Sequence, residues 1–364
     1  MSVKILHAAD FHMDSPFESL PEEKALVRRR EQREGLLRLA ETVNENGVEV
    51  VLLSGDLFDS SASCFETGET LVEALSAMKA EVFISPGNHD CISRKSPYSY
   101  LEFPENVHIF RERLVSCVEL PEIGCRVWGA GMTSSESPNM LRGFSAPPSD
   151  YIELMTLHGD ITGGAYGPLT EHDIAVSGLD YLALGHIHSF SGIKTAGKTA
   201  YAYPGCPEGR GFDETGEKGV IIGTVDRQGC DLKFLPTCRR RYRVLSADMT
   251  GEKNALEAVK KALSAGDFSD DICRIVLTGE FSGRIDTEQL ENGQNLRAFY
   301  LTVRSETHLP HDIWSASDDD TLTGLFVRRM RRKYEEAPEK DRHIYELAVR
   351  YGLAALENRE EWRP

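Results

Sequence analysis

Lys4-Ile5-Leu6-His7-Ala8-Ala9-Asp10-Phe11-His12 decides the architecture: a short continuous apolar run that stops at an aspartate and, two residues on, a histidine. The run is unbroken rather than alternating, as expected of a strand covered on both faces. The pattern recurs. Glu49 to Leu53 runs into Gly55-Asp56-Leu57-Phe58-Asp59, and Glu81 to Ser85 into Gly87-Asn88-His89-Asp90. Later, Ile152 to Leu157 ends at His158-Gly159, and Tyr181 to Leu184 at Gly185-His186-Ile187-His188. Between the first three strands lie two helical segments, Glu22 to Asn46, periodic through Leu26, Leu36, Leu37, Ala40 and Val43, and Cys64 to Met78.

Beyond Val107 strands dominate: Val107 to Phe110, Arg126 to Met132, Lys218 to Val225 and Leu232 to Leu235, besides those already named. A β-α-β-α-β opening followed by a strand-rich stretch predicts an α/β fold, a two-sheet β-sandwich flanked by helices. Near Arg239 the character changes. Strands at Val244 to Asp248, Arg274 to Thr278 and Arg297 to Val303, with helices Glu252 to Ser264 and Thr287 to Asn292, read as a small α+β capping domain over 239–316. The remainder, 317–364, reads as a helical tail broken at Pro338, with apolar stripes Leu322, Leu325, Phe326, Met330 and Ile344, Leu347, Ala348, Tyr351, Ala355. The expected domains are therefore 1–238, 239–316 and 317–364.

Composition narrows the function classes. No apolar run approaches the roughly 18 residues of a membrane span, and the N-terminus reaches Asp10 before a signal-peptide core could form, so a cytoplasmic location is expected. Eight scattered cysteines without Cys-x-x-Cys argue against a zinc ribbon or a disulfide framework. A net charge of -17, from 58 acidic against 41 basic side chains, counts against broad nonspecific duplex binding, which needs a basic surface.

The clusters supply oxygen and nitrogen ligands for a two-metal hydrolytic site. Two ions about 3.5 to 4 Å apart polarise a phosphoryl group, generate a nucleophile and stabilise the leaving oxygen. Holding two dications close requires an anionic bridge, for which Asp56 is suited. Asp10 and His12, two residues apart, would project from one side of an extended segment, and His186 and His188 repeat that spacing. Asn88 offers a carbonyl oxygen, and His158 follows a strand with Gly159 allowing close approach. Such a donor set fits manganese or iron, with zinc possible and magnesium less apt. His89, beside Asn88, is placed to protonate a departing alkoxide, since histidine titrates near neutrality. Asp59 is expected to hydrogen-bond His89 and favour its charged form.

Any one cluster alone reads as a turn or a chance Asp-x-His; five in order, each at a strand end, do not. Asp90 reads as a structural turn residue. His7, His108, His172, His308, His311 and His343 read as packing or surface residues. Arg28 to Arg30 and Arg328 to Lys333 read as solvated helix faces, and Arg239 to Arg241 as a candidate phosphate contact at the domain junction.

These residues resemble the calcineurin-like metallophosphoesterases, and in particular their SbcD-like DNA repair exonuclease branch. The likeness extends through His7-Ala8-Ala9-Asp10-Phe11-His12-Met13-Asp14-Ser15-Pro16-Phe17 and Tyr203-Pro204-Gly205-Cys206-Pro207-Glu208-Gly209-Arg210-Gly211-Phe212-Asp213, covering the chain to about residue 238. It implies one metal on Asp10, His12, Asp56 and His188, a second on Asp56, Asn88, His158 and His186, and a catalytic role for His89. It further implies a manganese-dependent nuclease with exonuclease and endonuclease activity on DNA, working as a dimer beside an SbcC-like coiled-coil ATPase onto which the tail helices would dock. The phosphoprotein phosphatase branch fits less well: it places Glu where this chain has Asp90. Nuclease relatives from archaea and eukaryotes carry His where Asp59 stands. The alternative is a regulatory or assembly subunit of such an ATPase complex with weak DNA cleavage, or a phosphodiesterase of a small nucleotide.

Overall fold

The opening run forms β1 (Ser2–Ala8), followed by α1 (Glu22–Glu45), β2 (Val50–Leu53), α2 (Phe65–Ala77), β3 (Glu81–Ile84) and β4 (Val107–Ile109). Strands then take over: β5 (Ser116–Leu120), β6 (Cys125–Gly129), β7 (Ile152–His158), a short α3 (Glu171–Val176), β8 (Tyr181–Gly185), β9 (Lys194–Ala196), β10 (Thr199–Ala202), β11 (Gly219–Asp226) and β12 (Gly229–Pro236). The computed structural model describes residues 1–60, 64–281, 283, 285–292, 297–308 and 313–356. His311 and the end of the expected tail, 357–364, lie outside the described residues.

Two six-stranded sheets result, ordered β12-β11-β1-β2-β3-β4 and β5-β6-β7-β8-β10-β9. The strands β1 to β4 are mutually parallel, as are β6, β7, β8 and β10, while β11, β12, β5 and β9 add antiparallel edges. Strand periodicity explains the unbroken apolar runs. Ile5, Val50 and Leu52 meet Ile152, Leu154, Tyr181 and Ala183 between the sheets. Their neighbours Leu6, Ala8, Val51 and Leu53 pack against Leu36 and Leu39 of α1 and Leu71 and Leu75 of α2. On the far side, Met155, Leu157, Leu182 and Leu184 are covered by Leu141 and Ile174. The first unit is thus the expected two-sheet sandwich flanked by helices. Strands β5, β9 and β10 and helix α3 were not anticipated; each has no more than six residues, too few to establish a period.

Parallel strands deliver their C-terminal ends to one edge of a sheet, where ligands are held in open α/β folds. All five clusters follow such ends, after β1, β2 and β3 in one sheet and β7 and β8 in the other.

Arg28 corrects an expectation. Read as solvated, it is fully buried, with Nη1 2.7 Å from Glu31 and Nη2 2.6 Å from Glu208. Arg240 is also buried and donates to Glu31 at 2.7 Å, which removes it from the candidate phosphate contact. Removing one partner from so buried an array would cost about 3–5 kcal/mol by leaving charge uncompensated. Arg30 is exposed, as expected.

The chain divides after Arg241 into units Met1–Arg241 and Tyr242–Pro364. The second contains β13 (Tyr242–Asp248), α4 (Ala255–Leu263), β14 (Ile272–Thr278), α5 (Thr287–Glu291), β15 (Tyr300–Ser305), α6 (Leu322–Glu336) and α7 (Arg342–Leu356). Its sheet is wholly parallel in the order β13-β14-β15, and Ile275 and Leu277 pack with Ala258 and Val259 of α4. Side chains of Asn254, Asp286 and Thr321 cap α4, α5 and α6 by accepting from backbone N–H groups. Val327 of α6 packs with Val349 and Leu353 of α7, joined by Phe326 and Met330. Of the other residues in the expected stripes, Leu322, Leu325, Ile344, Leu347, Tyr351 and Ala355 are exposed and Ala348 is half-buried. Among the described residues no helix is long and apolar enough to cross a membrane.

Candidate metal centre

Beyond β1 and β2 the chain stays paired without remaining extended: Asp10 N–H donates to Gly55 O at 3.0 Å and His12 N–H to Asp56 O at 2.9 Å. Asp10, His12 and Asp56 adopt left-handed backbone, with φ of 56°, 45° and 50°, and His186 lies at 112°. The extended geometry expected for the Asp10–His12 pair is therefore not found. A left-handed turn aims consecutive side chains into the space at the strand ends, and Asp and His tolerate that region better than branched residues. Glycines make the approach possible. A Cβ on Gly185 would lie 1.9 Å from Ser54 O, and one on Gly87 2.2 Å from Asp56 Oδ1.

The seven expected ligand residues converge. Nε2 of His12 is 3.2 Å from Nε2 of His188 and 3.7 Å from Asp56 Oδ2. Nε2 of His158 is 2.9 Å from Asn88 Oδ1 and 3.4 Å from Asp56 Oδ2, and Nδ1 of His186 is 3.3 Å from Asn88 Oδ1. Asp10 accepts from the His186 N–H at 3.0 and 3.1 Å, and groups with His12 and His188 and with Asp56 and His158. Asp56 accordingly stands between a cluster of Asp10, His12 and His188 and one of Asn88, His158 and His186.

Tautomers test whether cations fit here. His158 Nδ1 lies 2.9 Å from Ser54 O, His12 Nδ1 3.1 Å from Asp59 Oδ1, and His188 Nδ1 2.7 Å from Glu214 Oε1. For His158 and His12 the partner is an oxygen acceptor, so Nδ1 carries the proton and Nε2 presents a lone pair, while His188 Nδ1 sits between the Glu214 carboxylate and the donor Arg210 Nη2 at 3.0 Å. The Nε2 lone pair of His158 then faces the oxygen of Asn88 at 2.9 Å, and that of His12 faces Asp56 Oδ2 at 3.7 Å. Such contacts repel unless a cation lies among them, and ligand atoms sharing a dication at about 2.1 Å stand about 3 Å apart. The residues fit bound metal.

Electrostatics agree. Burial lowers the pKa of His12 to about 4, against the pull of Asp59 and Asp56, so the imidazole is neutral and free to ligate. Burial lowers His186 likewise. Burial and the charge of Asp56 raise Asp10 well above the carboxylate range, a repulsion that a dication would relieve. Burial works to raise Asp56, but His158, His12 and His89 outweigh it and hold it low.

Asp59 departs from expectation. Its carboxylate takes His12 Nδ1 and, at 3.2 Å, Arg210 Nη1, whereas His89 Nδ1 donates to its main-chain carbonyl at 2.9 Å. The residue holds His89 through backbone and a ligand histidine through side chain. His89 itself is exposed, while its N–H is tied to Asp56 Oδ1 at 2.9 Å. Asp90 is buried and accepts from the N–H of Leu57 and of Gly87, both at 2.7 Å, and from Tyr98 OH at 2.6 Å, joining two ligand loops. His7 is buried packing, bonded to Tyr181 OH at 2.9 Å and Leu184 O at 3.2 Å.

Glu214 and Arg210 carry no expected role in the sequence. Glu214 is buried, binds His188 and takes Arg210 Nη2 at 2.7 Å; burial opposes its ionisation, but those two partners hold its pKa far below normal. The only available signal was their place in or beside the motif Tyr203 to Asp213, with Glu214 26 residues after His188. Cys206, also near, is buried with its thiol pushed well up by burial, so it offers no thiolate.

A family model for calcineurin-like phosphoesterases matches residues 3–190. The chain is 29% identical over 267 residues to an uncharacterised metallophosphoesterase of Bacillus subtilis, YhaO, covering 68% of this chain and 64% of that protein. It is 27% identical over 258 residues to the DNA double-strand break repair protein Mre11 of Methanopyrus kandleri, covering 62% and 55%. To the SbcD component of the SbcCD nuclease of Bacillus subtilis it is 25% identical over 264 residues, covering 60% and 66%. The matches thus span between 55% and 66% of the length of these relatives.

Proposed function

The chain belongs to the calcineurin-like phosphoesterase family, whose members hydrolyse phosphoesters with two divalent metals, and on that premise we propose that it is a DNA nuclease of repair. One observation carries the phosphodiesterase reading: carboxylate and imidazole donors from five loops gather around the single buried carboxylate of Asp56, and the exposed His89 stands at their rim. When bound, two divalent ions supply charge neutralisation at the phosphoryl group and a nucleophile at neutral pH. Cluster one is Asp10, His12, Asp56 and His188; cluster two is Asp56, Asn88, His158 and His186. Oxygen and imidazole donors without thiolate favour manganese or iron. His89, with Nδ1 anchored on the Asp59 carbonyl, carries its second proton on Nε2 and delivers it to the leaving oxygen. Asp59 acts beside it by fixing His12.

DNA as substrate is supported by relatives named for double-strand break repair and as a nuclease component. A coiled-coil ATPase as partner, in the cytoplasm, is supported by the resemblance to SbcD and by the exposed Leu322, Leu325, Ile344 and Leu347 on α6 and α7. The net charge of -17 favours a second reading, a small nucleotide phosphodiester as substrate.

The test is cleavage of 5′- and 3′-labelled single-stranded and duplex DNA with manganese, with His89→Gln alongside. Cleavage that falls by about 10²–10⁴-fold in a variant retaining both metals supports the reading. Hydrolysis of a small nucleotide phosphodiester without DNA cleavage transfers it to the second.

A further inference from the structure

Arg210 lies in the loop after β10, and all three of its side-chain nitrogens point at carboxylates. Nη2 donates to Glu214 Oε1 at 2.7 Å, Nε to Glu214 Oε2 at 3.4 Å and Nη1 to Asp59 Oδ1 at 3.2 Å. Glu214 Oε2 also accepts the Arg210 main-chain N–H at 2.8 Å, so these two residues form one local unit. Asp59 belongs to the loop after β2, 151 residues earlier and in the other sheet. The guanidinium therefore fastens a strand-end loop of one sheet to a loop of the other.

What it fastens are the supports of two imidazoles. Asp59 Oδ1 takes His12 Nδ1 at 3.1 Å, and Glu214 Oε1 takes His188 Nδ1 at 2.7 Å. With the proton on Nδ1, as ligation through Nε2 requires, His188 and Arg210 Nη2 converge on the same Glu214 oxygen, which brings the two nitrogens to 3.0 Å. His12 follows β1 and His188 follows β8, in opposite sheets, yet both group with Asp10 in the first cluster. The second cluster is held otherwise: His158 Nδ1 rests on the main-chain carbonyl of Ser54 at 2.9 Å.

An arginine at a phosphoester site is the natural choice for a phosphate clamp, which uses a two-pronged guanidinium edge. Here the edge formed by Nε and Nη2 is occupied by Glu214, and Nη1 is drawn to Asp59. Burial opposes ionisation of both acids, but His12 and Arg210 hold Asp59 low, and His188 and Arg210 hold Glu214 low. Two carboxylates against one guanidinium leave the group net negative, which suits a cation nearby rather than a phosphate.

We propose that Arg210 is a positioning residue for one of the two ions, the one on Asp10, His12, Asp56 and His188, and that it acts by holding imidazoles from opposite sheets at a fixed spacing. This role rests on the two-metal reading and is the same whether the substrate is DNA or a small nucleotide.

Manganese titration of the full chain, followed by the paramagnetic resonance of the free ion, tests it in the wild type, Arg210→Met and Arg210→Lys. The wild type takes up two ions. In Arg210→Met one ion binds as before and the other about 10- to 100-fold more weakly; Arg210→Lys, which keeps the charge but reaches one carboxylate at a time, weakens the same ion about 3- to 10-fold. With Asn88→Ala removing the second ion, Arg210→Met still weakens the one that remains. At saturating manganese the KM for bis(p-nitrophenyl) phosphate stays within about twofold of the wild type. A tenfold rise in that KM with both metal affinities unchanged would make Arg210 a phosphate clamp and overturn the proposal. Equal weakening of both ions, or metal binding unchanged in both variants, overturns it as well. A wild-type chain that takes up fewer than two ions sinks the two-metal reading itself, a different failure from two ions bound alike in all three proteins. Melting curves in chelator show which variants are folded, and Arg210→Lys carries the test where Arg210→Met is not.

Discussion

Met1–Arg241 and Tyr242–Pro364 both contain parallel strands and helices, yet they place strain and charge differently. Among the described residues, the six non-glycine positions with positive φ all lie in the first unit: Asp10, His12, Asp14, Phe17, Asp56 and His186. Four of them are metal-ligand candidates. Each such residue costs on the order of 1–3 kcal/mol and persists only where surrounding structure enforces it. Buried carboxylates and imidazoles crowd the same strand ends, whereas in the second unit the buried Asp271 sits beside Arg243 at 3.1 Å. The first unit gives up stability to hold donor atoms close; the second, among its described residues, keeps relaxed backbone.

The comparison breaks most sharply at Asp56. Asp56→Asn removes the charge shared by both clusters, and elemental analysis should find both metals lost and phosphodiesterase activity abolished; retention of one metal would show that the clusters are independent. Next comes Glu214→Gln, which weakens the hold on His188: metal affinity should fall about 10- to 100-fold, read by titration, with Asp59 and Ser54 still fixing the other imidazoles.

His7 probes charge burial in the first unit through pH. Burial, opposed by the Leu184 carbonyl, lowers its folded pKa to about 3 from 6.5. Between those values the unfolded chain binds more protons, so stability is full above pH 6.5 and declines as pH falls toward 3. The contribution by pH 5 is about 2 kcal/mol, which urea midpoints at pH 7 and 5 in chelator should show as a smaller difference in His7→Asn than in the wild type. An unchanged difference would assign the acid sensitivity elsewhere. The smallest effect belongs to the second unit: truncation after Ser317 should leave metal content unchanged and hydrolysis of small phosphodiesters within about twofold, while association with a coiled-coil ATPase is lost. Wholesale unfolding would make the tail part of a core.

Much of this was legible because chemistry and topology coincide in the sequence. A parallel strand buried on both faces must read as an apolar run, and its end must be where polar residues begin, so Asp10, Asp56, Asn88, His158 and His186 announce themselves. What was not legible is the layer behind them. Glu214 matters through one hydrogen bond to a residue 26 positions earlier, and no period or spacing encodes that. Asp59 was given the right neighbourhood and the wrong contact, because sequence cannot distinguish a carboxylate from its own carbonyl as the acceptor. Arg28 looked like its exposed neighbour Arg30, since its burial depends on Glu208, 180 residues away, as well as on the nearby Glu31.

Gly185 has a consequence for how such a centre can change. Where its missing side chain would stand, Ser54 of the other sheet already lies, so hydrogen atoms set the gauge between the two sheets. A single added methyl would act as a wedge, parting the donors that follow β7 and β8 from those that follow β1, β2 and β3. The centre is a joint between two halves, and its tolerances are those of the thinnest residue at the seam.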